Sequence, residues 1–322
     1  MRMPKIVSGR LGWLCFSGLV LSAGVARAQN AAVPAYEYGK PPEKMKPDVE
    51  WKVQAKGGLL LTTGNSQTGS GTFALDGSRQ SGMNKLSLNG GAAYGRSRIL
   101  VPIEDSAGTE TDGLARQTTT TTNQWRAKGR YDRFVTPNNS AYAVAQIGAD
   151  RIAGKKLFGG GQVGYSRQLV KNEQHTLVAE LGYDFSYESY VPSPGKTIDG
   201  VAIHSARVFV GELFTLTKET GITASGEALF NLNKEDALNA DDQTGASKGV
   251  SAFKDTRVIG KLGITTTLRK SLSMALGFTI RYDQNPAPLP LPSGAPHYAD
   301  GFLPFSDKVD TLTEATLIYT FL

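Results

Sequence analysis

The strongest constraint on this chain is an alternation of apolar and polar residues with a period of two, repeated along nearly its whole length after Trp51. In the first run Trp51, Val53, Ala55, Gly57, Leu59 and Leu61 share one face, and Lys52, Gln54, Lys56 and Gly58 share the other, with Leu60 as an exception. Leu177, Ala179, Leu181, Tyr183, Phe185 and Tyr187 likewise oppose Glu180, Gly182, Asp184, Ser186 and Glu188. Side chains alternate sides only in an extended chain, so each run predicts a strand with one apolar and one wet face. Twelve such runs fall near 50–63, 68–79, 84–98, 119–135, 140–150, 156–169, 174–188, 203–217, 221–233, 253–269, 272–284 and 308–322. The fifth and eighth are the least regular, and the apolar triplet Val208, Phe209, Val210 leaves the facing of the eighth open.

The connections sort by parity. Gln80–Met83, Thr136–Asn139, Lys171–Glu173, Lys218–Thr220 and Lys270–Ser271 have the length and composition of tight hairpin turns. The alternate set contains the long segments 99–118, 189–202, 234–252 and 285–307, with shorter members at 64–67 and 151–155. Short turns at one end and long loops at the other are the plan of a bacterial outer-membrane barrel, and a soluble sandwich has no reason to sort its loops this way. The expected fold is therefore all-β: a closed antiparallel transmembrane β-barrel of about 12 strands (10 to 14 fit the pattern), with short periplasmic turns, long extracellular loops and both termini on the periplasmic side. Tyr131, Phe134, Tyr319 and Phe321 are expected in an aromatic belt at the periplasmic level, and Tyr94, Tyr187, Tyr190 and Tyr282 at the outer level.

The segment before the first run does not fit this fold. Arg2, Lys5 and Arg10 precede an apolar stretch from Leu11 to Val25, and Ala26-Arg27-Ala28 has the small-x-small form of a signal peptidase site. Residues 1–28 read as a secretory signal cleaved after Ala28, since the apolar stretch is about 15 residues and a spanning helix needs about 20. Residues 29–49, with Pro34, Pro41, Pro42 and Pro47 among alternating charges, read as a periplasmic linker, leaving 50–322 for the barrel. Cys15, the only cysteine, lies in the signal, which removes disulfides and thiolate metal sites from consideration. The formal charge of +6 falls to about +2 without Arg2, Lys5, Arg10 and Arg27, so no nucleic-acid partner is implied.

The first hairpin reads Trp51…Leu59-Leu60-Leu61-Thr62-Thr63-Gly64-Asn65-Ser66. A leading Trp, a Gly-containing strand and a T-x-G-N-[ST] turn resemble the YdiY-like family of outer-membrane proteins, which is described as salt-induced and is largely uncharacterised. The specific motif covers only residues 51–66. The resemblance implies an outer-membrane β-barrel and carries no catalytic residue with it. The terminal Leu317-Ile318-Tyr319-Thr320-Phe321-Leu322 resembles the strand by which the barrel-assembly machinery recognises such proteins, although Phe stands one place before the last residue.

Motifs for chemistry are weak. Gly159–Gly164 matches G-x-G-x-x-G, but it lies within a strand run, and a phosphate cradle needs a helix N-terminus. Glycines in such a wall ease curvature or close approach instead. His204 and Ser205 are adjacent, so they point to opposite faces; His175 and His297 have no nucleophile motif beside them. Glu235, Asp236, Asp241 and Asp242 lack calcium-loop spacing. No enzymatic activity, cofactor or metal is expected.

What remains is the presumed inner face. Lys52, Lys56, Lys85, Arg126, Lys128, Arg130, Arg257, Lys261 and Arg281 point inward in the alternation, as do Glu180, Asp184, Glu188, Glu227 and Glu314. They either line a narrow wet pore for small polar or charged solutes or pair across the lumen and plug it. The expectation is a narrow channel or passive permeation barrel. Its alternatives are a plugged structural or envelope-stress barrel without transport and, below that, a surface-binding module on the long loops or an outer-membrane hydrolase. Its partners are outer-membrane lipid, the assembly machinery and a small solute.

Overall fold

The computed structural model describes residues 49–62, 67–104, 111–192, 200–234, 250–288 and 305–321. The proposed signal and linker lie outside the described residues, as do the Gly64-Asn65 turn, His297 and the loop acids Glu235, Asp236, Asp241 and Asp242. Twelve strands follow in chain order: β1 (Glu50–Thr62), β2 (Gln67–Ser81), β3 (Asn84–Glu104), β4 (Thr111–Thr136), β5 (Asn139–Asp150), β6 (Lys155–Lys171), β7 (His175–Tyr190), β8 (Val201–Thr215), β9 (Thr220–Asn231), β10 (Thr256–Arg269), β11 (Leu272–Asp283) and β12 (Val309–Thr320). Each pairs antiparallel with its sequence neighbours, and β1 pairs with β12, closing the barrel. The ring is sealed unevenly. β1 meets β12 only from Gln54↔Thr320 to Gly57↔Leu317, extended by the Phe321 N–H donating to the Val53 carbonyl at 2.9 Å.

The turns expected on the periplasmic side are tight, and local chemistry explains them. Gly82 supplies a φ of 55° between β2 and β3. The Asn172 Oδ1 accepts from the N–H groups of Gln174 and His175, and the Thr217 Oγ1 accepts from those of Glu219 and Thr220.

The barrel is apolar outside and polar inside. Leu59 is 75% exposed and Leu181 is 62% exposed on the outer surface, whereas Arg130, Asp132 and Asp184 are at most 2% exposed within. That reverses the usual burial order and matches a wall whose solvent is hydrocarbon. No helix among the described residues is long and apolar enough to cross a membrane.

Three expectations need correction. The 99–118 segment is mostly strand, because the β3–β4 ladder continues to Glu104↔Thr111. The β-branched run Thr118–Thr122 suits an extended chain. At 21 and 26 residues these strands exceed the roughly 9–11 needed to span a bilayer, so the hairpin projects well beyond it. Phe134 leaves the expected aromatic belt: it is 2% exposed, on the same lumen face as Arg130 and Asp132. Tyr190 leaves it too, packing against Val201, Ile203 and Val250. In both cases the parity of the strand overrides the pull of the headgroup level. Trp51, Tyr131, Tyr165 and Tyr319 near the short turns, and Tyr94, Tyr187 and Tyr282 at the other end, do face outward and exposed.

Candidate functional site

The lumen contains two layers. The deeper one is a closed ion-pair network. Arg130 on β4 grips Asp132 with Nη2 at 2.7 Å and Nε at 2.9 Å. The same guanidinium reaches Glu180 on β7 with Nη2 at 2.7 Å and Nη1 at 3.2 Å, a forked contact that fits the carboxylate plane. Arg207 on β8 donates from Nη1 to Glu180 at 2.9 Å and to the Tyr142 hydroxyl at 2.8 Å, and its Nε also pairs with Glu227 on β9. These side chains are nearly or wholly sealed from solvent: 2% for Arg130, 1% for Asp132 and 0% for Glu180 and Arg207. Phe134, Val178 and Phe209 fill the space around them.

The register makes this network possible. Tyr142, Gly164, Gly182 and Arg207 are consecutive partners across β5, β6, β7 and β8. Two glycines therefore stand between the phenol and the guanidinium, and the Tyr142 ring lies in the notch they leave. A Cβ on Gly164 would stand 2.6 Å from the Tyr142 hydroxyl. Gly159–Gly164 is thus part of a wall, in keeping with close approach rather than phosphate binding.

The second layer is a chamber of about 420 Å³ in the outer half of the lumen. Arg126, Lys128, Asp184, Glu188, Glu227, Arg257, Lys261 and Arg281 line it, so eight of the fourteen residues read as lumen-facing come together there. Glu188 binds Lys155 at 2.7 Å and stands 3.6 Å from Arg257, and Asp184 accepts from Gln162 at 2.8 Å. Arg126 lies over the Phe158 ring, 5.8 Å from its centroid.

The other six take different places. Arg130 and Glu180 belong to the network below. Lys56 pairs with Asp76 at 2.5 Å on the β1–β2 side. Glu314 faces inward from β12, packed against Gly277. Lys85 stands at the short-turn end of β3, opposite Asp132 in register. Lys52 has the inward phase but stands at the short-turn rim, 66% exposed and paired with Glu50 at 3.0 Å, so it lines no enclosed space.

Arg207 was the main residue not anticipated. The apolar triplet around Phe209 hides the phase of β8, yet a charge in a spanning strand is costly on the lipid face. Arg207 therefore sets the phase itself, with Ser205, Arg207 and Phe209 inward and Val208 and Val210 outward. Tyr142, Asp76, Asp150 and Lys155 were also missed, because each sits near a strand end or stands alone in its run.

The histidines lie away from this centre. His204 meets the Tyr183 hydroxyl on the outer surface, while Ser205 is fully buried on the inner face. His175 pairs with Glu212 at 2.8 Å near the short turns. Among the described residues no group of His, Cys, Asp or Glu could hold a metal ion.

Solved structures similar in fold include the NanC porin (TM-score 0.41, 7% identity, covering 84% of this chain and 100% of that one). Others are the translocator domain of the autotransporter NalP from Neisseria meningitidis (0.40, 10%, 85% and 87%) and the outer-membrane channel DcaP of Acinetobacter baumannii (0.31, 12%, 85% and 97%). No curated protein matches the chain. A family model matches residues 55–321, the whole barrel apart from its first few residues, and the chain therefore belongs to DUF481, a family of unknown function that includes the YdiY-like proteins its first hairpin resembles.

Proposed function

We propose that this protein is a non-enzymatic outer-membrane barrel through which small charged solutes pass slowly and passively. The observation that carries this reading is the chamber of about 420 Å³ walled by ionisable side chains from β4, β5, β6, β7, β9, β10, β11 and β12. The deeper layer fills its space with contacting ion pairs, whereas these side chains surround an open volume. The Arg130–Glu180–Arg207 network then acts as a constriction on the short-turn side, and flux is low. Purified protein in planar bilayers tests this: small, stepwise conductance above background is expected, and its absence across salts would remove the permeation reading. Outer-membrane fractionation and heat-modifiable gel migration test the location, and recovery of a soluble periplasmic protein would refute it.

The buried network favours a second reading, a plugged barrel without transport. It predicts that substitutions in the network change stability but leave the membrane insulating.

A further inference from the structure

We infer that the chamber is an anion site, selecting small organic carboxylates or phosphates; this rests on the permeation reading and names the class of solute. Four basic residues carry the argument. Arg126 and Lys128 come from β4, and Lys261 and Arg281 from β10 and β11, roughly half the ring away. All four line the same cavity. Arg126 feels the charge of Arg281, Lys261 feels both of them, and Lys128 feels Lys261. Basic groups from opposite walls therefore converge on one small volume of low dielectric, where an anion meets positive charge on both sides.

Acids line the chamber as well, and three of them bind other groups. Glu227 holds Arg207, Asp184 holds Gln162, and Glu188 holds Lys155. Glu227 still acts on Arg126, Lys128 and Lys261, while Asp150 acts on Arg126 and Arg281, Glu314 on Lys261 and Arg281, and Asp310 on Arg281, so these acids temper the field; Asp283 and Asp307 complete the acidic lining. Arg126 supplies an independent observation. Its Nε is buried with no hydrogen-bond partner, and the side chain rests on the Phe158 ring. An orphaned guanidinium N–H in a polar chamber is a donor for a carboxylate or phosphate oxygen, and a planar guanidinium suits both. The volume of about 420 Å³ holds a small organic acid and excludes a polymer.

The experiment separates binding from passage. Full-length mature protein in detergent is titrated with succinate and, separately, inorganic phosphate by calorimetry; reversal potentials are then measured in bilayers under a KCl gradient. Saturable binding of at least one anion is expected, weakened about tenfold by Arg126→Gln and again by Lys261→Gln, as for loss of a charged hydrogen-bond donor. Lys156→Gln, which removes an exposed charge from β6, leaves binding unchanged. Heat-modifiable migration confirms that each variant is folded. The succinate and phosphate arms tell which oxyanion the site prefers. Absence of binding to both anions, equal binding in wild type and both variants, or cation-selective conductance would overturn the anion site. Saturable binding without conductance would uphold the site and refute the permeation reading alone.

Discussion

Arg130 and Glu180 meet at 2.7 Å although two strands, β5 and β6, separate β4 from β7 in the wall. The contact crosses a chord of the lumen, and Glu180 is shared with Arg207. Such a pair is strongly interdependent, because removing one member leaves the others charged and sealed from water. Glu180→Gln is expected to lower stability by about 3–5 kcal/mol, read from urea unfolding in lipid vesicles. It should also raise single-channel conductance by loosening the constriction. An unchanged unfolding midpoint would show that the network contributes little.

The barrel itself was legible in the sequence for a physical reason. Hydrocarbon outside and charge inside impose an alternation that survives in every clean run, and short turns impose parity on the connections. Lys128, Glu188 and Lys261 follow directly from that alternation, and they line the chamber. Alternation gives a facing but no height and no partner. It could not separate Lys52 at the rim from Lys56 within the wall. Nor could it tell Arg130, spent in a buried network, from Arg126, held over open space. Those distinctions come from register across strands distant in sequence, as does the row that joins Tyr142 to Arg207.

That row gives a second prediction. Gly182→Ala would place a Cβ 2.7 Å from the Val163 carbonyl and closer still to the Tyr142 hydroxyl. The ring must shift, and its 2.8 Å bond from Arg207 is lost. A cost of about 1–3 kcal/mol is expected from the overpacking. Combining the change with Tyr142→Ala should recover part of it. Equal costs in the two backgrounds, measured by the same unfolding assay, would mean that the glycine is not serving the tyrosine.

The lipid face gives a third. Leu181 points outward from β7 and is 62% exposed, while Gln146 on β5 lines the chamber. Leu181→Arg is expected to cost about 2–4 kcal/mol in a bilayer, as for a cation near the midplane of a barrel wall. Gln146→Glu should cost much less, since it faces the chamber and stands opposite Lys128 in register. Unfolding both variants in phosphatidylcholine vesicles checks the assignment of inside and outside, and the reverse order of costs would invert the barrel.

The closing seam gives the last. Among the described residues β1 and β12 pair only from Gln54↔Thr320 to Gly57↔Leu317, whereas β1 and β2 pair from Glu50↔Gln80 to Thr62↔Thr68. Unpaired strand edges in hydrocarbon are expensive, so this junction should be the weakest in the ring and the first to open. Gly57 and Leu317 are register partners, both exposed on the outer surface, and a Cβ on Gly57 would meet nothing within 4 Å. Gly57→Cys combined with Leu317→Cys is therefore expected to form a disulfide without strain, there being no other cysteine in residues 16–322 of the sequence. Oxidation should raise the temperature at which the folded gel band is lost, and reduction should return it to the wild-type value. If oxidised and reduced forms unfolded together, opening would begin elsewhere in the ring, and the short ladder would not be the element that limits the stability of the barrel.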